Sequence, residues 1–300
     1  MNDSEAKRTT VAIIGAGEMG AAVGQRLRET GARVITTLKG RSSASVERVA
    51  RASLEIIDDD DALVREADFI LSIVPPGQAE TVASRLLASL KAPRKATFVE
   101  CNAISPATMR RIAESLAAAR CRVIDAGIIG GPPSPARPQS GPRFYASGPD
   151  AQLLTGLRAH GLNVKILDGP IGAASAFKMS YGGVTKGLIA IGAAMFTAAS
   201  HEGLAAPLFD ELAQSQPALL AFLSAGIPNM FPKAYRWVAE MEQIAEFLGD
   251  AEAGSQIYSG AARLYEQIAA DWDRDADASR SIAQLRSFFA AGDRIKSSGE

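Results

Sequence analysis

The sequence predicts an α/β protein, a doubly wound parallel sheet over residues 1–168 followed by an all-α domain over 169–300. Three observations carry this expectation. A β-branched apolar run ends in glycines at 15, 17 and 20, short apolar runs then alternate with helix-compatible stretches, and beyond Gly169-Pro170 the alternation stops. A length of 300 residues and 47% apolar composition suffice for two domains with buried cores.

The first strand is expected at Val11-Ala-Ile-Ile14, and the turn after it at Gly15-Ala-Gly-Glu-Met-Gly20. A helix follows with Val23 and Leu27 on one face, then Gly31 and the second strand Arg33-Val-Ile-Thr-Thr37. This is one complete βαβ unit, the setting in which the G-x-G-x-x-G spacing becomes specific for a dinucleotide. Gly15 would allow the tight turn, Gly17 the close approach of a pyrophosphate, and Gly20 the packing of helix on strand. The helix N-terminus then faces the anion, and Glu18 and Met19, inside the motif, join the predicted cofactor-binding residues. A turn without ligand is the alternative that this context disfavours.

Further strands are expected at Phe69–Val74, Ala96–Val99 and Cys121–Ile124, with Phe144–Ser147 and Val164–Leu167 adding one or two more. The sheet is therefore of the Rossmann type. Beyond residue 168, Gly172 to Ala199 reads as one long helix containing Gly182, Gly183, Gly187 and Gly192. Each glycine costs a helix about 1 kcal/mol relative to Ala, so a helix, a partner subunit or a ligand should approach that backbone closely. Pro207, Pro217, Pro228 and Pro232 are expected to divide the remainder into shorter helices, with Pro232 in the first turn of Lys233–Leu248.

The balance of 32 basic against 33 acidic residues leaves a net charge of -1 and no basic footprint for nucleic acid. Cys101 and Cys121 lie in no metal or redox spacing, and His160 and His201 are far apart, so neither a zinc site nor a disulfide framework is expected. The first residues are polar, without the apolar core of a signal peptide, and no uninterrupted apolar run reaches membrane-spanning length. A cytoplasmic location is the expectation.

NAD sites place an Asp or Glu after the second strand, ~20 residues past the glycines, to accept the ribose hydroxyls. Here Thr36-Thr-Leu-Lys-Gly-Arg-Ser42 offers no carboxylate, whereas Lys39, Arg41 and Ser42 could bind a 2′-phosphate. NADP (NADPH) is expected in preference to NAD, the alternative being a solvated basic loop. Val74-Pro-Pro76 and Glu100-Cys-Asn102 follow strands and should lie at the carboxyl edge, where open sheets bind ligands. Asn102 is the expected polar contact to nicotinamide or ribose, while Pro75 could equally be a strand terminator.

The glycine fingerprint, Ile73-Val-Pro-Pro76, Asp125-Ala-Gly-Ile-Ile-Gly-Gly131 and Gly169-Pro-Ile-Gly-Ala-Ala-Ser-Ala-Phe-Lys178 stand in one order. Over residues 11–187 the chain thereby resembles the β-hydroxyacid dehydrogenase superfamily, which includes 6-phosphogluconate and hydroxyisobutyrate dehydrogenases. The later part resembles a less characterised C-terminal domain of phosphogluconate-dehydrogenase-like oxidoreductases. The resemblance implies hydride transfer between nicotinamide and a hydroxyl-bearing, hydroxyacid-like substrate. It also implies that Lys178 on the interdomain helix exchanges the hydroxyl proton, with a pKa that desolvation beside Phe177 and Met179 could lower. Without the motif, Lys178 would read as a surface lysine on an amphipathic helix.

Two departures from the family pattern bear on the substrate. The usual asparagine one turn after the lysine is Gly182, and Tyr181, three residues on from Lys178, could supply the missing hydrogen bond or equally pack in the core. Ile129 stands where the carboxylate loop normally has serine, leaving Gly130 and Gly131 as amide donors, unless that loop only turns the chain. Arg236 could bind an anionic substrate group from the cleft or from a partner subunit, or simply pair with Glu240 one turn on. The resemblance further implies a homodimer through the α-domain. Imine reduction on the same architecture, and NADP sensing without turnover, are the competing functions.

Overall fold

The computed structural model describes residues 8–91, 96–134, 141–249, 251–275 and 282–290. It divides into two compact units, one reaching Met179 and the other starting at Ser180.

The first unit is a single eight-stranded sheet. Its strands are β1 (Thr10–Ile14), β2 (Arg33–Thr36), β3 (Glu55–Ile56), β4 (Phe69–Ser72), β5 (Thr97–Glu100), β6 (Arg122–Ile129), β7 (Arg143–Ser147) and β8 (Asn163–Ile166), in spatial order β3-β2-β1-β4-β5-β6-β7-β8. Helices α1 (Glu18–Glu29), α2 (Ser43–Ala52), α3 (Asp60–Glu66), α4 (Ala79–Leu90) and α5 (Pro106–Ala117) make the crossovers. β1 shows why the runs are continuously apolar: Val11 and Ile13 join one core with Val23 and Leu27 of α1, whereas Ala12 and Ile14 join the other with Leu86 of α4 and Ile112 of α5. A parallel strand covered on both faces has no solvent side to alternate with.

The strand order reverses between β1 and β4, so the turns after those strands open at the switch point where such sheets bind ligands. Two elements differ from the expected uniformly parallel sheet. β7 runs antiparallel to β6; the chain turns back at Gly130, whose φ of +120° a side chain would resist, and no helix is described in this connection. β3, only two residues long and exposed, gives no apolar period to detect.

α6 (Ala173–His201) belongs to both units, its start packing with the sheet and the rest with the helical unit. The other helices are α7 (Ala205–Ser215), α8 (Pro217–Met230), α9 (Ala234–Leu248) and α10 (Ala253–Asp275), with a further helical stretch at 282–290. Pro217 occupies the first turn of α8 as its fixed φ favours. Pro228, expected to break the chain, instead sits within the last turns of α8, and Pro232 lies in a 3₁₀ turn before α9. The bodies approaching the α6 glycines are neighbouring helices. A Cβ on Gly183 or Gly187 would lie 3.0 or 3.2 Å from Tyr258 of α10, and one on Gly192 would lie 2.7 Å from Leu223 of α8.

By length and composition α6, with a mean hydropathy of 1.3, could cross a membrane, a run the sequence reading did not single out because Lys178 and Lys186 interrupt it. Its Ile189, Ala190, Ala193 and Phe196 are buried, the last stacked on Phe288 at 3.8 Å, as in a core helix.

Candidate functional site

The three motif glycines have distinct physical roles. Gly15 adopts φ +95°, and a Cβ there would collide with the Ile73 carbonyl and come within 2.7 Å of Val74 Cγ1. A Cβ on Gly20 would overlap the Gly15 carbonyl, which is why α1 can lie so close to β1. Gly17 has nothing within 4 Å of its Cβ position, and as N-cap of α1 it brings no capping side chain. The first turn of α1 thus keeps its amides free of a side-chain cap, beside open space, the arrangement a phosphate needs. Glu18 is exposed, whereas Met19 packs partly against the sheet core.

At the end of β2, Thr36 Oγ1 donates to the Ile13 carbonyl at 2.7 Å and ties the second strand to the glycine turn. A cavity of about 470 Å³ opens beyond it, lined by Thr37, Lys39, Asp59, Asp60, Asp61, Arg85 and Ser89. The sequence reading found Lys39 but missed Arg85 and the aspartates, although the run Asp58–Asp61 ahead of a helix was a visible signal. Each aspartate of the lining is engaged: Asp59 accepts from Ala62 N at 2.7 Å, Asp60 pairs with Arg85 at 3.0 Å, and Asp61 accepts from Ser89. Burial and then the neighbouring Arg85 hold the Arg41 guanidinium below its usual pKa, against a smaller opposing pull from Asp60. Ser42 is exposed at the N-cap of α2, its Oγ 3.2 Å from Ser45 Oγ.

Asn102 is buried and clamps two loops together. Its Oδ1 accepts from Val74 N at 2.6 Å, its Nδ2 donates to Ser72 Oγ at 3.1 Å, and its own N donates to Glu100 Oε1 at 2.9 Å. Asn102 therefore holds Val74 against Gly15, a positioning role that the sequence alone did not suggest. Pro75 is exposed and Pro76 partly so, at the start of a 3₁₀ turn leading into α4. Glu100 is buried, with Oε2 unpartnered among the described residues. Burial pushes its pKa up to about 8, with hydrogen bonds from Asn102 and Ser72 pulling back and Asp125 adding repulsion.

The start of α6 is fastened to β6. Asp125 Oδ2 accepts from Gly172 N (2.9 Å), Ser175 N (3.1 Å) and Ser147 Oγ (3.0 Å), while Oδ1 accepts from Ser175 Oγ (2.7 Å). Ser147 Oγ in turn accepts from Ala174 N at 2.9 Å. One turn on, Lys178 Nζ donates to the Ile128 carbonyl, and its Cβ would lie 3.0 Å from any Cβ placed on Gly127. Gly127 thus lets β6 and α6 come together exactly where the lysine emerges. Ile129 is buried, Gly130 abuts Pro142, and Gly131 is exposed with open space around it. Phe177 packs on Tyr145 with ring centroids 4.6 Å apart.

The remaining predicted residues belong to the helical unit. Tyr181 is 47% exposed, not a core residue, and its carbonyl accepts from Thr185 Oγ1. Gly182 lies 3.7 Å from Ile244 at its Cβ position. Arg236 is partly buried with its guanidinium 5.7 Å from the Tyr235 ring, and Glu240 pairs with Lys186. Lys186 sits over the Trp237 ring at 5.0 Å, and its carbonyl accepts from the buried Tyr265 hydroxyl, a polar core the sequence reading missed. His201 is exposed beside Glu202. Cys101 and Cys121 are free thiols, and no cluster of metal-ligating side chains occurs among the described residues.

Residues 10–154 match the family described as the NAD binding domain of 6-phosphogluconate dehydrogenase, and residues 199–268 match a domain of unknown function, DUF1932. Among solved structures, the conserved protein MTH1747 of unknown function, itself reported as similar to 3-hydroxyacid dehydrogenases, is 26% identical with a TM-score of 0.66, covering 88% of this chain and 98% of its own. The Mycobacterium tuberculosis 3-hydroxyisobutyrate dehydrogenase with L-serine is 22% identical, TM-score 0.69, covering 93% and 99%. A reductive aminase from Aspergillus terreus in complex with NADPH4, cyclohexanone and allyl amine shares the fold at 19% identity and TM-score 0.55, covering 94% and 100%. Residues 10–154 are thus similar to the NAD binding domain of 6-phosphogluconate dehydrogenase. The match to DUF1932 follows it along the chain.

Proposed function

We propose that this protein is an NADP-dependent oxidoreductase that acts on a CH–OH group of a hydroxyacid-like small molecule, with Lys178 as general acid and base. The observation that carries the reading is the anchoring of Lys178 at the carboxyl end of β6, in the sheet whose β1 turn fits a dinucleotide. Bound nicotinamide would supply the hydride acceptor or donor. In oxidation, neutral Lys178 takes the hydroxyl proton as the C–H bond gives up its hydride; in reduction the ammonium returns that proton to the carbonyl oxygen. Its bond to the Ile128 carbonyl holds the amine at the end of β6.

Gly17 and the start of α1 receive the pyrophosphate, while Lys39, Arg41 and Ser42 receive a 2′-phosphate; these two cations and the hydroxyl, with no carboxylate in residues 36–42, favour NADP over NAD. Gly130 and Gly131 offer amides to a substrate anion, and Tyr181, three residues after Lys178 on α6, takes the place of the missing asparagine. Arg236 is the candidate partner for a second anionic group. Free thiols at Cys101 and Cys121 suit the reducing cytoplasm. Along α6, Phe177, Tyr181, Val184, Leu188, Ile191 and Met195 are exposed apolar residues at alternating spacings of four and three, the pattern of a helix seam, and they support a homodimer.

Imine reduction is the second reading, favoured by apolar Ile129 and by Gly182, which leave the pocket fewer groups for a carboxylate and a hydroxyl. Turnover of hydroxyacids with NADP and of cyclic imines with NADPH, in the wild type and in Lys178→Ala, separates these readings. The proposal expects hydroxyacid oxidation that falls by roughly 10³-fold or more in the variant, since proton transfer and orientation are lost together. Unchanged turnover in Lys178→Ala would overturn the role of Lys178. Tight NADPH binding with no turnover of either substrate class would point instead to a sensor, and equal affinity for NADH would overturn the cofactor preference.

A further inference from the structure

We infer that Asp125 is a positioning residue for Lys178, a buried carboxylate on β6 that fixes the start of α6 and thereby sets where the lysine amine meets the sheet. The inference rests on the reading of Lys178 as the acid and base, but its geometry stands separately. Four donors converge on one carboxylate: two backbone amides of the α6 entry, at Gly172 and Ser175, and two hydroxyls, Ser147 on β7 and Ser175 on α6. Oδ2 accepts from both backbone amides and Oδ1 meets the Ser175 hydroxyl; burial pushes the Asp125 pKa up, with these hydrogen bonds pulling back. The carboxyl group also lies at the positive end of a 29-residue helix.

Lys178 follows Ser175 by only three positions, and β6 advances only from Asp125 to Ile128, the carbonyl that accepts from Nζ. The same two segments, one on β6 and one on α6, are thus bound twice, first by Asp125 and then by Lys178. Gly127 lies between the two attachments, and its missing side chain allows the approach: a Cβ there would be 3.0 Å from Lys178 Cβ and 3.1 Å from the Ala174 carbonyl. Loosening the first attachment frees the lysine from its carbonyl without removing any atom that touches substrate or cofactor.

Asp125→Asn tests this, because the amide has a single accepting oxygen, so its NH2 must displace either the hydroxyl donor of Ser175 or the N–H donors of Gly172 and Ser175. The measurement is trace acetylation with acetic anhydride from neutral to alkaline pH, read at Lys178 by mass spectrometry against the exposed Lys165 as internal reference. The expected result is a changed pH profile and rate of acetylation at Lys178, several-fold or more, with Lys165 unaffected. Hydroxyacid turnover should fall with little change in NADPH affinity, and Asp125→Asn should add almost nothing to the loss already caused by Lys178→Ala. A wild-type acetylation profile at Lys178 in folded Asp125→Asn would overturn the inference. Should that variant fail to fold, Ser175→Ala, which removes one hydroxyl and leaves the carboxylate, must shift the Lys178 profile in the same direction by a smaller factor, and an unaltered profile would overturn it equally. If Lys178→Ala keeps full turnover, the catalytic reading fails while the acetylation result still decides the positioning.

Discussion

Glu100 shows at the scale of one residue how the carboxyl edge is held. Burial lifts its pKa from 4.5 to about 8, so the folded protein keeps a proton that the unfolded chain has already released. The sign follows from linkage: the contribution of this group is fully present below about 4.5 and is lost as pH rises toward about 8. Glu100→Gln mimics the neutral acid at every pH. Its melting temperature should exceed that of the wild type by a margin that widens over that interval, reaching roughly 5 °C or more at mildly alkaline pH; parallel curves for the two proteins would refute the argument. Asn102 was legible in the sequence as a polar residue at the right edge, but not its function, because its partners Ser72 and Val74 lie 30 and 28 positions away. Pairings of that separation leave no local pattern.

At the scale of elements, the β1 turn and α1 divide their glycines between folding and binding. Gly17 has a φ of -71°, which alanine adopts readily, and faces open space, whereas a side chain on Gly20 would meet the Gly15 carbonyl. Gly17→Ala is therefore expected to fold with a melting temperature close to that of the wild type while binding NADPH about tenfold or more weakly, measured by fluorescence titration. Gly20→Ala should lose stability itself, by roughly 1–3 kcal/mol from overpacking in denaturant unfolding. Equal destabilisation by both variants, with NADPH affinity intact in Gly17→Ala, would remove the assignment of Gly17 to the ligand. The spacing of these glycines was readable because it lies within one turn of chain. The reversal into β7 was not, since a short strand-forming run such as Arg143–Ser147 looks the same in either direction, and the lining of Asp59, Asp60 and Arg85 around Lys39 emerges only when α3 and α4 fold beside β2.

For the whole molecule, the apolar seam along α6 predicts association. Sedimentation should give twice the chain mass for the wild type, and Ile191→Asp, which sets a charge into the middle of the seam, should shift it toward the monomer. A monomeric wild type at working concentration would end the proposal. The two-part organisation itself was legible, because strand-forming runs stop where helical ones begin. Its seam was less so: the sequence puts the change at residue 168, after the last strand, whereas compactness divides the chain after Met179, since the entry of α6 is bonded to β6.

That shared helix has a consequence for modularity. α6 has no linker at the point where the two compact units divide, so a cut or a recombination crossover between Met179 and Ser180 severs a continuous hydrogen-bonded rod. A crossover before Gly172 is no cleaner, because it takes away the donors of a buried carboxyl group and leaves that group unpaired. Exchange of the helical half between related chains is therefore possible only as a package that carries the opening turns of α6 together with the β6 residues they fit, and such cassettes should be inherited as a unit.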